Sequence, residues 1–449
     1  MKQLSRFDKI VVGILLAVAL AIGLVIWRGN QVGAQISGTY PKDGGEVSAW
    51  GRVGITFGQA MRTDTISSHF KIEPAVAGQI EWDGNTLWFV PNRAFDPGAA
   101  YHLVLLPGGY AADGRQLKQK LDSVFKIRQP QILFISSKPD QNELWSIPQA
   151  GGSSHPLTST GGKVDDFSVS LDGEHIAYTV INAKNGIDLW LMKRDGSQAG
   201  LLVNCVQDQC SQPGWSPDGK EIVFSRAAAG VGSESADSVS GVWDVDVLSG
   251  QANYLFPGSY ASWSPDGLHL AALDAKSGVI RVFDVQAGAG IQIKTGSDYP
   301  PVWRPDSAHL IYADNQAAGD LPVPVLQQVD LGSKAVTSFL RNDLDQMDFS
   351  MPAFSPDNQA MIIGLKVFTG GLNNQLWFMG VDGSHKKAIT TDQTYSSHSY
   401  HWDPSGKLVV FQQFQPEDTQ SVPRILLWSR DTGKTQVLAV NAALPAWLP

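Results

Sequence analysis

The chain has 449 residues, too many for one ordinary domain of about 150 residues, and its 43% apolar and 17% charged residues suit packed cores, not a disordered tail. Lysine plus arginine (34) falls short of aspartate plus glutamate (43), leaving a formal charge of −9, and with no long basic run the composition argues against a nucleic-acid partner. Two cysteines exclude a disulfide-rich scaffold and a four-cysteine zinc site, whereas 45 glycines, 25 prolines and 14 tryptophans suit an all-β chain with many tight turns.

Residues 10–27 carry no charge and are mostly Ile, Leu, Val and Ala. A helix over them would reach ~27 Å at ~1.5 Å per residue, close to the hydrocarbon thickness of a bilayer. Lys2, Arg6 and Lys9 precede the run and Arg28 follows it. The positive-inside rule then predicts a transmembrane signal anchor: residues 1–9 cytoplasmic, 28–35 a spacer, and the bulk of a single-pass cell-membrane protein extracytoplasmic. A cleaved signal peptide, cut after Val32-Gly33-Ala34, is the competing reading, and the length of the run favours the anchor.

Short strands separated by turn signals fill residues 36–128. Strands are predicted over 53–57, 78–82, 86–90 and 101–106, with a hairpin turn at Asp83-Gly84-Asn85. Turns at Asp43-Gly44, Asp96-Pro97-Gly98 and Asp113-Gly114 complete a sandwich pattern. Tyr40-Pro41-Lys42-Asp43-Gly44, Ile55-Thr56-Phe57 through Met61, Phe70-Lys71-Ile72-Glu73-Pro74, Phe89-Val90-Pro91 and Pro97-Gly98-Ala99-Ala100-Tyr101 follow in order. In these the segment resembles the bacterial Ig-like domain of surface-layer proteins, which implies a spacer or adhesive module.

A repeat dominates residues 131–449. Trp215-Ser216-Pro217-Asp218-Gly219, Trp263-Ser264-Pro265-Asp266-Gly267, Trp303-Arg304-Pro305-Asp306-Ser307, Phe354-Ser355-Pro356-Asp357-Asn358 and Trp402-Asp403-Pro404-Ser405-Gly406 are its clearest copies. A stretched copy runs from Phe167 to Gly173, and a truncated one, Trp447-Leu448-Pro449, closes the sequence. Proline presets φ, aspartate can bond its own backbone, and glycine or asparagine accepts a positive φ, so each copy is a tight turn. An apolar strand follows each turn, and a third strand often carries Trp145, Trp190, Trp243, Phe283, Trp377 or Trp428. Ten of the 14 tryptophans occupy repeat positions and read as packing residues.

A period of roughly 40–50 residues with about four strands is one propeller blade. Over these residues the chain resembles the TolB-type, WD-repeat-like β-propeller family. The predicted fold is thus all-β: an N-terminal transmembrane helix, an Ig-like sandwich and a seven-bladed propeller, with six blades as the alternative. Leu133 to Thr158 supplies three strands without an aromatic-proline strand before them, so residues 446–449 should complete that blade. The unit with Pro322 and Pro324 is the weakest, because proline spoils a central strand.

No motif of a serine hydrolase, zinc protease, phosphate loop or EF-hand occurs. Propellers of the resembled family often precede a serine-peptidase domain, and a chain ending inside a blade leaves no room for one. No catalytic residue, metal ligand or cofactor is expected. Cys205 and Cys210, in the loop entering one aromatic-proline strand, would close a short disulfide in an oxidising compartment; free thiols are the alternative. Tyr395, His398, Tyr400 and His401 precede Trp402, but a lone His-x-x-His pair falls short of a coordination sphere. Asp343, Asp345 and Asp348 lack a calcium-loop glycine and read as a solvated loop.

In antiparallel blades the turn after the first strand is the uniform Pro-Asp-Gly type, whereas the irregular segments (227–241, 315–324, 367–374, 414–423, 204–213, 341–351 and 391–400) all fall on the opposite face. Loops on a rigid scaffold are where binding resides. Tyr260, Tyr299, Tyr400 and His401 lie just before first strands and are the predicted binding-face residues, ringing the channel mouth. The expected function is recognition of an envelope protein or surface glycan. A propeller glycosidase or lyase with two facing carboxylates, and a passive cell-surface spacer, are the rivals.

Overall fold

The computed structural model describes residues 6–31, 33–138, 141–228, 241–318, 321–340, 346–367 and 371–449. It divides into two compact units, Met1–Arg128 and Gln129–Pro449.

The first unit opens with a helix, Arg6–Gln31. Among the described residues no helix is long and apolar enough to cross a membrane. This overturns the predicted signal anchor, and with it the single-pass membrane placement. That expectation rested on an uncharged, mostly apolar run and its flanking charges, and these features of sequence do not by themselves make a membrane span.

The rest of this unit is a sandwich. One sheet has the spatial order Ile36–Tyr40, Val53–Phe57, Thr86–Pro91, Gly78–Asp83, and the other Glu46–Val47, Leu121–Ile127, Ala100–Leu105, Phe70–Glu73. Alternation along Thr86–Pro91 buries every second side chain, as a sheet with one wet face requires. The buried set meets around Phe95, whose ring lies 4.9 Å from Tyr101 and 5.6 Å from Phe125. Gly84, at φ +56°, takes the left-handed position of the predicted hairpin turn.

From Gln129 onward the chain forms successive antiparallel sheets of mostly four strands. Their first strands include Val164–Val169, Gln209–Trp215, Ser259–Trp263, Val302–Trp303 and Ser396–Trp402, and first strands of neighbouring sheets adjoin one another. The last strand, Ala442–Leu448, pairs with Gln131–Ser136 and so becomes the first strand of the earliest sheet. The apolar cores are the layers between sheets. Leu133, Leu144 and Leu448 pack with Ile176 and Met192 of the next sheet. On its other side Ile132, Phe134 and Trp447 pack with Val410 and Ile425 of the last sheet. The two ends of the unit therefore share one sheet that is covered on both faces.

The turn motif has a concrete structural meaning. Ser216 Oγ donates to Asp218 Oδ1 (2.7 Å) and accepts from the Glu221 N–H (2.9 Å), bridging the turn. Ser170–Asp172 (2.7 Å), Ser264–Asp266 (2.5 Å) and Ser355–Asp357 (2.5 Å) repeat the bond. In the copy Asp403-Pro404-Ser405 the two residues exchange places and bond in reverse. The tryptophan indoles reach across sheets: Trp215 Nε1 donates to Ser168 O (3.2 Å), Trp303 Nε1 to Ser262 O (3.1 Å), Trp402 Nε1 to Ala353 O (3.0 Å) and Trp447 Nε1 to His401 O (3.0 Å). Each acceptor lies one residue before the equivalent position of the preceding sheet. That register puts Val169, not Phe167, in the aromatic position of the earliest copy, which is degenerate and not stretched.

Two sequence readings fail on backbone geometry. His309–Ala318 and Leu321–Asp330 form one long hairpin, so the prolines lie within a strand. The described pairing with Val336–Leu340 runs from Leu326 to Val329, so Pro322 and Pro324 lie outside that ladder. A proline outside a ladder removes no bond from it. Likewise Ala360–Val367 pairs with Gly371–Gly380, so segments 315–324 and 367–374 are largely strand, not loop. Residues 229–240, 341–345 (with Asp343 and Asp345), 319–320 and 368–370 of the predicted loops lie outside the described residues.

Candidate functional site

Antiparallel pairing sets which residues share a face. Gln209 at the start of its strand faces Ala227 at the end of the next, and Ser396 faces Phe414 in the same way. First-strand starts and second-strand ends therefore lie together, opposite the Ser-Pro-Asp-Gly turns.

On this face three successive sheets bring titratable groups together. The Tyr299 hydroxyl donates to Asp348 Oδ1 (3.4 Å), and Lys366 Nζ pairs with Asp348 Oδ2 (3.2 Å). The Tyr299 ring packs on Phe349, 6.1 Å between centroids. Burial, reinforced by the Asp348 charge, pushes the Tyr299 hydroxyl above its ordinary range. His398 stacks on Phe414 at 5.5 Å and shares a hydrogen bond with Ser396 Oγ (2.7 Å). Burial, with Lys366 adding repulsion, lowers its pKa, so His398 is a neutral imidazole at pH 7. Lys366 and Asp348 keep about a third of their side chains open (36% and 31%), which makes the cluster reachable. It offers a cation, an anion, a phenol and an imidazole within one patch, a set suited to hydrogen-bonded recognition and proton exchange.

The four predicted ring residues take different roles. Tyr299 belongs to this cluster. Tyr400 is buried beneath it: its hydroxyl donates to Met351 O and accepts the Gly364 N–H (3.2 Å), joining two sheets. Burial pushes its pKa up to about 12. His401 is exposed, although desolvation by the surrounding protein lowers its pKa. Tyr260 is 49% exposed and enters none of the aromatic pairs among the described residues. Sequence reasoning passed over Lys366 altogether and read Asp348 and His398 as solvated surface. Their one common signal is position, next to the loop-face end of a first or second strand.

Cys205 and Cys210 form a disulfide buried at both residues. The Cys205 N–H donates to Asp188 Oδ1 (2.8 Å), which also accepts from Asn182 Nδ2 (3.0 Å), while Asp208 inside the loop pairs with Arg226 (2.7 Å). The clasp steadies the crossing where Ile187 bridges Gln209 and fuses two sheets. Replacing both cysteines by alanine should cost about 2 kcal/mol, the loop-closure value for so short a ring. Urea melts of the oxidised protein and the variant measure this, and equal midpoints would contradict the role. Among the described residues no group of three His, Cys, Asp or Glu could hold a metal ion.

No family model matches the chain, and no curated protein matches it either. Solved structures do. A prolyl endopeptidase is 10% identical with a TM-score of 0.52, covering 84% of this chain and 50% of its own. The two share the β-propeller fold. The chain spans about half the length of that enzyme. TolB from Acinetobacter baumannii is 14% identical with a TM-score of 0.45, covering 84% of this chain and 82% of its own. The β-propeller domain of the Trilobed protease from Pyrococcus furiosus is 16% identical with a TM-score of 0.48, covering 62% and 84%.

Proposed function

We propose that this chain is a recognition protein: a seven-bladed propeller that binds a protein segment on its loop face and catalyses nothing itself, carried beside an Ig-like sandwich of the surface-layer type. The observation that carries the reading is the Tyr299–Asp348–Lys366–His398 cluster. Three successive blades supply it, it is partly open, and burial raises the pKa of Tyr299 and lowers that of His398, a combination that marks sites more often than scaffolding. What supports seven blades over six is the pairing of the last strand with the earliest sheet and the apolar layers on both its faces.

The test compares two variants on peptide and glycan arrays. One carries Tyr299→Phe, Lys366→Met and His398→Gln; the other carries Asp218→Asn and Asp266→Asn in the turns of the opposite face. Peptide signals should fall at least about tenfold in the first, the loss of one hot-spot contact, and persist in the second. Glycan signals alone would replace the protein ligand with a sugar. Loss confined to the second variant would overturn the choice of face.

A further inference from the structure

Four consecutive first strands meet at equivalent positions, three residues before the aromatic position of each turn motif: Leu444, Asp166, Gln212 and Tyr260. The strands adjoin in that order. Three of the four residues have left-handed backbones, at φ +52° for Leu444, +57° for Gln212 and +54° for Tyr260, and each lies where its strand slips register against the next. The bulge is thus built into the repeat, and it is stitched from blade to blade. The Asp166 carboxylate accepts the Gln212 N–H, and Gln212 Oε1 accepts the Tyr260 N–H (3.0 Å).

The backbone needs only a residue that tolerates a positive φ, for which glycine or asparagine is cheapest. Leu444 and Tyr260 are among the less suitable choices, and neither recovers the cost by packing. They are 41% and 49% exposed and lie outside the core clusters. Backbone strain combined with an exposed apolar side chain points to selection for the side chain itself. Between these two apolar ends sits Asp166. Its carboxylate is mostly withdrawn from water, takes two backbone N–H bonds, has Asp165 as its charged neighbour, and pairs with no lysine or arginine among the described residues. Burial raises its pKa. An anion lacking a counter-charge, flanked by two open apolar groups, is complementary to a cation flanked by apolar groups.

We propose that the arc Leu444–Asp166–Gln212–Tyr260 is a docking groove for an extended peptide segment that presents a lysine or arginine between apolar side chains. This rests on the propeller acting as a protein-binding module and names the chemistry of its ligand at a second place on the same face. The Asp166 carboxylate takes the ammonium or guanidinium group, Tyr260 and Leu444 cover the flanking side chains, and the Gln212 amide stays committed to the Tyr260 backbone.

The experiment titrates the full chain with the amidated pentapeptide of alanine, leucine, lysine, leucine and alanine, and with its counterpart carrying glutamate in place of lysine. The lysine peptide should bind and the glutamate peptide should not, with binding weakened by salt. Tyr260→Gly keeps the left-handed backbone while deleting the ring. It should leave Tm unchanged or raised and cut lysine-peptide affinity about tenfold, as for one interfacial aromatic anchor. Asp166→Asn should abolish the preference for lysine over glutamate. The inference is overturned if Tyr260→Gly lowers Tm, since the ring would then be structural, or if both peptides bind alike. It is also overturned if lysine-peptide binding survives both variants and is lost with the Lys366 and His398 substitutions, in which case loop-face recognition stands and the arc does not.

Discussion

Removing residues 442–449 should unfold the second unit or lower its Tm by many degrees, although these residues are under a fiftieth of the chain. They supply a whole first strand, and without it the Gln131–Ser136 edge and two apolar layers open to water. Point variants divide the effect. Trp447→Ala should cost about 3–5 kcal/mol, as buried aromatics do. Trp447→Phe keeps most of the apolar contact but strands the His401 carbonyl, which accepts the indole N–H at 3.0 Å, and should cost about 1 kcal/mol. Arg194 donates to Pro449 O at 2.8 Å from the neighbouring sheet, so Arg194→Ala should loosen the same seam. Thermal melts followed by tryptophan fluorescence measure all four. An unchanged Tm on deletion would mean that the last strand does not hold the ring.

Tyr400→Phe should destabilise the fold by about 1–3 kcal/mol, because the Gly364 N–H and the Met351 carbonyl lose a shared partner in a buried site. The same residue gives an alkaline signature. Its pKa rises from 10.0 to about 12 in the folded protein, through burial. A raised folded value means that its share of stability is complete below the unfolded pKa of 10.0 and is lost as pH climbs towards about 12. The gap between wild type and Tyr400→Phe should therefore hold to about pH 10 and narrow above it. Urea melts across that window test this, and a gap independent of pH would show that the hydroxyl is not buried as described.

The repeat was readable because each copy solves one local problem with fixed chemistry. Serine bridges the turn, aspartate caps it, proline sets its entry, and the indole of the next sheet reaches the carbonyl beside it. Those are short-range rules, and even the exchange of Asp403 and Ser405 obeys them. The terminal strand was readable too, since a lone aromatic-proline end had one vacancy to fill. Prolines 322 and 324 misled because sequence does not reveal where along a strand its next ladder begins. The helix misled because an apolar run with flanking charges reads as a span from sequence, whereas no helix among the described residues is long and apolar enough to cross a membrane. The site was only half legible. Position relative to the first strands picked out Tyr299, but whether a tyrosine at such a place opens outward, as Tyr260 does, or plugs a seam, as Tyr400 does, depends on side chains contributed from other blades. The Asp348–Lys366 pair needed the three-dimensional register of two strands, and no local pattern announces it.

Hydrogen-exchange footprinting of the full chain with a peptide selected on the array tests the proposed function most directly. Slowed exchange is expected at the loop-face ends of the first strands, around Tyr299, Asp348 and His398, with the turns at Asp218, Asp266 and Asp357 unchanged. Protection confined to those turns, or to the sandwich of the first unit, would contradict it.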